Sequence, residues 1–242
     1  MAVGSFLRRV FMVATLSCSA SPAQPSVAQD IPPKAVSMAD PNVTEFLPAT
    51  AKLIKELKVD FENNGVVAVV LAYALETVPD VATGVRVLKY GTTGWAVAFE
   101  EADSVTNGAG ASDALNIEKV GSSGGKEGVV VVLKFSGAGT ATEWHILSTV
   151  KNKIVRLNPT RIRDRVLKGR RYVYMGYNGI TVHGDLVIED LAGYSRGRAR
   201  CCPDRPSIAI RSRFTGTSIK LDSVKESPAS PGGKLLFPLG PR

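Results

Sequence analysis

Short runs rich in valine, isoleucine and aromatic residues recur from residue 66 onward, each closed off by glycine, asparagine, aspartate or serine. Runs of this length and composition read as β-strands. The clearest span 84–90, 94–100, 114–120, 128–135, 142–150, 171–175, 180–190 and 207–214. The ten apolar residues from Val66 to Leu75 read as a buried core element; a bilayer span needs roughly 20. Tyr177-Asn178-Gly179-Ile180 predicts a hairpin, because Asn-Gly tolerates the positive φ angles of a tight primed turn. Phe214-Thr215-Gly216-Thr217 reads as a second, weaker turn. Two segments carry helical spacing instead. Leu53, Ile54 and Leu57 place an apolar stripe on 49–57, ended by Asn63-Asn64-Gly65, and Ile162 and Val166 do the same for Thr160–Leu167. The pattern predicts a mainly β fold: one antiparallel β-rich domain over 49–225, with one or two short helices.

The ends of the chain follow other rules. Arg8 and Arg9 precede the apolar run Val10–Leu16, and small residues lead to Ser26-Val27-Ala28. That order of charge, short apolar core and A-x-A-like site predicts a secretory signal over 1–28, cleaved between Ala23 and Ala28. The expected location is periplasmic or extracellular. Anchoring by a lipid on Cys18 fits less well, because Leu16 stands two residues before the cysteine where lipobox patterns prefer three. Residues 29–48 hold Pro32, Pro33, Pro41 and Pro48 and read as a spacer; residues 226–242, rich in proline and glycine, read as a disordered tail. A chain of this size buries roughly 70% of its unfolded surface and needs no disulfide for stability.

Charge changes the picture of the second half. The chain carries 30 Lys and Arg against 22 Asp and Glu, a net of +8. Residues 29–150 hold 9 basic against 15 acidic side chains, whereas residues 151–213 hold 15 against 5. Such halves either complement each other or leave a basic surface for an anionic envelope polymer or lipid surface. Arg196, Arg198, Arg200 and Arg205 are the candidate anion-binding residues. Nucleic acid is disfavoured, since no recognition motif is present and export removes its usual targets.

Among these arginines lies Cys201-Cys202, adjacent cysteines followed by Pro203. Neighbouring Cα atoms sit about 3.8 Å apart across a trans peptide, below the roughly 4.4–6.8 Å of ordinary disulfides. A bond between them would close almost no chain and add little stability. The pair is thus a candidate redox or structural thiol pair, and the nearby arginines would favour a thiolate on any exposed sulfur.

Other motifs fail in context. Gly193-Tyr194-Ser195-Arg196-Gly197 matches a G-x-S-x-G elbow, but no helix is expected after it and no histidine follows His183. Gly121–Glu127 resembles a phosphate loop without its first glycine or its magnesium-binding hydroxyl, and reads as a hairpin loop. Asp103–Gly108 resembles half a calcium loop, with Val105 at a ligand position. A metal would have to recruit His145 and His183 from separate strands. No cofactor, no metal and no catalytic residue is expected. The alternative from a different class is a thiol-redox or hydrolytic enzyme using Cys201/Cys202 or Ser195.

From Tyr194 to Val224 the chain resembles a group of uncharacterised bacterial exported proteins and lipoproteins. Their Arg-Cys-Cys-Pro stretch, following strand, aromatic-x-Gly turn and final strand correspond to Arg200–Pro203, Ser207–Ile210, Phe214–Gly216 and Ser218–Leu221. The rhythm around 85–135 is similar to FG-GAP-like β repeats, although Val105 breaks their acidic loop. These resemblances imply export and β structure, and no activity. The expected function is therefore that of an exported, non-catalytic, envelope-associated protein with a basic C-terminal half.

Overall fold

The computed structural model describes residues 40–76, 81–105, 114–135, 141–196 and 203–228. Apart from Asp40, these belong to one compact unit that begins at Pro41. The described residues are mainly strand, arranged in three antiparallel sheets, with a single α-helix and a 3₁₀ turn at Val43–Phe46. Each sheet is a meander of four consecutive strands. The first contains β1 (Lys52–Val59), β2 (Ala68–Glu76), β3 (Val81–Gly91) and β4 (Gly94–Val105). The second contains β5 (Leu115–Gly121), β6 (Glu127–Phe135), β7 (Ala141–Val150) and β8 (Lys153–Leu157). Helix α1 (Thr160–Leu167) then leads to the third: β9 (Val173–His183), β10 (Leu186–Tyr194), β11 (Arg205–Phe214) and β12 (Ile219–Ser227).

The second sheet is the middle layer. Val129, Val131 and Leu133 of β6 pack with Val70, Ala72, Val85 and Val87 of the first sheet. Val130 and Val132 face the other way, toward Val187 and Phe214 of the third. A strand covered on both faces cannot alternate apolar with polar. That is why β6 reads Gly-Val-Val-Val-Val-Leu without a break. Polar contacts also cross between layers. Ser148 Oγ donates to Gly216 O at 2.5 Å, Thr149 Oγ1 to Phe61 O at 3.2 Å, and the fully buried His145 meets Glu101 at 2.6 Å.

Two expectations are corrected. Residues 49–57 form no helix: Lys52–Val59 is β1, an edge strand. Its register with β2 slips between Leu53 and Lys55, leaving Ile54 as an extra residue. The bulge turns Ile54 toward the same core as Leu57, so a strand reproduces the three-residue spacing of a helix. Asn178-Gly179 makes no hairpin turn either. It lies inside β9, where Asp190 pairs with Gly179 and Leu191 with Gly176, leaving Tyr177 and Asn178 as a bulge. Gly179 has φ +95°, so the positive angle that suits a turn serves a bulge instead. The hairpin forms at Gly184-Asp185, splitting the single strand expected over 180–190. The helix at Thr160–Leu167 and the turn at Gly216 form where expected. Strand β8, which the sequence reading passes over, is joined to β7 by Lys151 and Asn152, both at positive φ.

Candidate functional site: an arginine-lined cavity

Helix α1 places one wall of the site. Asn158 Oδ1 accepts the Thr160 N–H at its start. Its apolar residues Ile162, Val166 and Leu167 cover Leu191, Ile208 and Ile210 of the third sheet. The buried Glu189 pairs with Arg163 on the same side, so the helix is locked by charge as well as by packing. After Leu167 the chain reverses at Gly169, φ +76°. Arg170 follows, donating from Nε to the Val166 carbonyl at 2.9 Å and pairing with Glu226 of β12. Its hydrogen bond to the Glu226 carboxylate raises the Arg170 pKa further.

The opposite wall comes from the junction of β10 and β11. Their register slips between Leu191 and Gly193. A Cβ on Gly193 would stand 2.2 Å from the Pro206 carbonyl oxygen, so only glycine allows the strands to approach this closely. Just beyond, the Ser195 N–H donates to Asp204 Oδ1 at 2.8 Å and the Ser195 hydroxyl to Oδ2 at 2.8 Å. Arg205 Nε donates to the same hydroxyl at 2.6 Å. Ser195 therefore links Asp204 to Arg205 and fixes the direction of that guanidinium.

Between these walls is an open cavity of about 540 Å³, lined by Gly169, Arg170, Arg171, Tyr172, Ser195, Arg196 and Arg205. The centroid of the Tyr172 ring lies 5.4 Å from the Arg205 guanidinium carbon and 6.0 Å from that of Arg171. Such contacts hold a guanidinium over the ring without consuming its N–H donors. Four guanidiniums meet here with the carboxylates of Asp204 and Glu226 nearby, leaving a positive excess. Among the described residues, Arg171 and Arg196 have no ion-pair partner.

Of the candidate residues, the structure thus brings Arg196 and Arg205 into one cavity. Arg198, Arg200, Cys201 and Cys202 lie outside the described residues. Sequence reading missed Arg170, Arg171 and Tyr172. Their signal was the Gly-Arg-Arg-Tyr run directly after the helix, but nothing local says that this corner meets the β10–β11 junction.

The remaining motifs are not assembled with Ser195. His183 pairs with Leu186 at the far end of β10, and the stretch from Leu186 to Ser195 spans about 30 Å along the strand. His145 is fully buried between the first two sheets. Gly121–Glu127 joins β5 to β6 as a hairpin. The Asp103–Gly108 loop extends outside the described residues. A cluster that no motif announced lies on the first sheet. The Tyr73 hydroxyl donates to Glu100 at 2.9 Å, and Arg86 donates both to Glu100, at 2.8–2.9 Å, and to the Phe46 carbonyl. Burial alone would raise Glu100, but hydrogen bonds from Arg86 and Tyr73 outweigh it and hold the carboxyl below its ordinary range. The arrangement fastens the 3₁₀ turn to the sheet. Comparison with protein families, curated proteins and solved structures finds no significant match for this chain.

Proposed function

We propose that this chain is an exported, non-catalytic protein of the cell envelope that binds a phosphate- or sulfate-bearing polymer through the arginine-lined cavity. The observation that carries this reading is the convergence of Arg170, Arg171, Arg196 and Arg205 on one open cavity. Guanidinium groups present paired N–H donors that match the oxygens of phosphate, sulfate or carboxylate. Arg170 and Arg205 are held in place by Glu226, Ser195 and Asp204, so part of the ordering cost of binding is met before the ligand arrives. Arg171 and Arg196 supply the charge that is not already neutralised. An open site suits a chain passing through it more than a small enclosed ligand. Its contacts are exposed, so binding is expected to weaken as salt rises. Export rests on the Arg8–Ala28 signal and places the protein where such polymers occur.

Chromatography on immobilised heparin, a sulfated polymer, tests the reading. Wild-type protein is expected to be retained at low salt, and Arg171→Ala/Arg196→Ala to elute earlier. Flow-through of the wild type at low salt would sink the proposal.

A further inference from the structure

We infer that this chain holds a second binding site, for a single neutral sugar ring, in a cavity of about 230 Å³ bordered by Phe61 and Ala68 of the first core. It shares no residue with the arginine-lined cavity and does not depend on how that cavity is read. The loop between β1 and β2 builds one wall. The Asp60 carboxylate accepts the N–H groups of Glu62 at 3.3 Å and Asn64 at 3.2 Å through Oδ1, and that of Gly65 at 2.8 Å through Oδ2. Asn64 Oδ1 in turn accepts the Val66 N–H at 2.9 Å. Two more hydrogen bonds fasten the loop to β6: the Asp60 N–H donates to Glu127 Oε2 at 2.7 Å, and the Glu127 N–H to the Asp60 carbonyl at 3.1 Å. Tyr90 of β3 also lines the cavity; it is 44% exposed and braced by Trp95, with ring centroids 5.6 Å apart at 75°. Asn152, from the β7–β8 turn, lines it as well. The side chains are therefore held in place before a ligand arrives, which lowers the ordering cost of binding.

The ligand's chemistry follows from the lining. Phe61, Val66, Val67 and the Tyr90 ring are apolar, whereas Glu62, Asn64, Lys89 and Asn152 are polar. Among the described residues, the side chains of Lys89 and Asn152 and the amide N–H groups of Asn64 have no hydrogen-bond or ion-pair partner. Glu62 Oε2 pairs with Lys126 at 3.4 Å, but Oε1 is buried without a partner. Buried polar atoms are normally paired, so the lining combines unmet donors with an unmet acceptor. A hydroxyl both donates and accepts and can answer either kind. One carboxylate and one ammonium line the cavity, so neither sign of charge dominates, unlike the four guanidiniums of the other site. The volume falls below the roughly 300–1,000 Å³ of sites for drug-sized ligands, which limits the occupant to one ring. A pyranose meets these terms together: the C–H groups of one face pack on an aromatic ring and apolar side chains, and hydroxyls surround it. A wholly apolar ligand would leave the amides and the ammonium unpaired, and an anion would meet the Glu62 carboxylate.

Saturation-transfer NMR of the full chain with the methyl glycosides of glucose, galactose, mannose and N-acetylglucosamine tests this. Transfer to the ring protons of at least one glycoside is expected, with a Kd on the order of 1–10 mM, as suits so small a ligand. Tyr90→Ala is expected to weaken binding about tenfold. Asn152→Gly, which removes the amide but tolerates the φ of +62° at that position, is expected to weaken it about fivefold. Circular dichroism should match the wild type for both, and Asn152→Gly carries the test if Tyr90→Ala does not fold. Arg171→Ala/Arg196→Ala is expected to bind the glycoside as the wild type does, whatever its behaviour toward polyanions. A wild type that gives no transfer to any of the glycosides overturns the inference, as does unchanged affinity in the folded cavity variants or loss of binding in the arginine variant.

Discussion

Ser195 has both of its hydrogen-bonding roles filled, donating to Asp204 and accepting from Arg205. A hydroxyl held in this way orients its neighbours. Ser195→Ala is therefore expected to cost about 1 kcal/mol of stability in urea unfolding and to weaken polyanion binding by releasing Arg205. Tyr73 makes a separate prediction about pH. Burial first, and then its hydrogen bond to Glu100, push the phenol pKa up to about 12, against an ordinary value of about 10. The folded state keeps this proton where the unfolded chain loses it. The stabilisation is complete below about pH 10 and disappears as pH rises toward about 12. Unfolding measured across that window should show the loss, and Tyr73→Phe should remove this component. Neither role was legible in the sequence. Ser195 stood out only through a motif that its surroundings contradict, and Tyr73 lay inside an apolar run whose partners, Arg86 and Glu100, come from two later strands.

Strand β6 was legible as a strand but not as the strand between two cores. Its two faces predict similar sensitivity: Val131→Ala and Val132→Ala are each expected to cost about 2 kcal/mol in chemical unfolding. If only one did, the middle-layer position of β6 would be wrong. Local pattern misread β1 and β9 for one shared reason, because each contains a bulge. In β1, an extra residue made apolar spacing look helical; in β9, a glycine at positive φ made a strand look like a turn. Gly179→Ala should accordingly destabilise the protein by about 1–2 kcal/mol, since the added Cβ meets a disfavoured backbone conformation. The hydrophobic pattern records which face a residue occupies. It does not record where one residue has been added to the ladder. The same limit applies to the cavity. Arg196 and Arg205 were visible as neighbours in a basic stretch, but Arg170, Arg171 and Tyr172 join them only through packing of α1 and the register slip at Gly193.

Across the whole molecule, three meanders stack with the middle one buried on both sides, and helix α1 completes the cover of the third sheet. Four of the basic residues of 151–213, Arg170, Arg171, Arg196 and Arg205, line the cavity that opens beyond the end of that cover. The proposed export concerns the intact chain and has its own test. Intact-mass measurement of protein recovered from its host, with and without reductant and alkylator, should show loss of 23 to 28 residues and the oxidation state of Cys201 and Cys202. Recovery of the uncleaved chain would contradict the proposed export signal. Anion binding is tested most directly by titrating labelled linear polyphosphate into the wild type and Arg171→Ala/Arg196→Ala at several salt concentrations. The cavity predicts that log Kd rises linearly with log salt for the wild type, and that the variant binds more weakly with a slope smaller by about one for each arginine removed. An unchanged affinity and slope in the variant would contradict it.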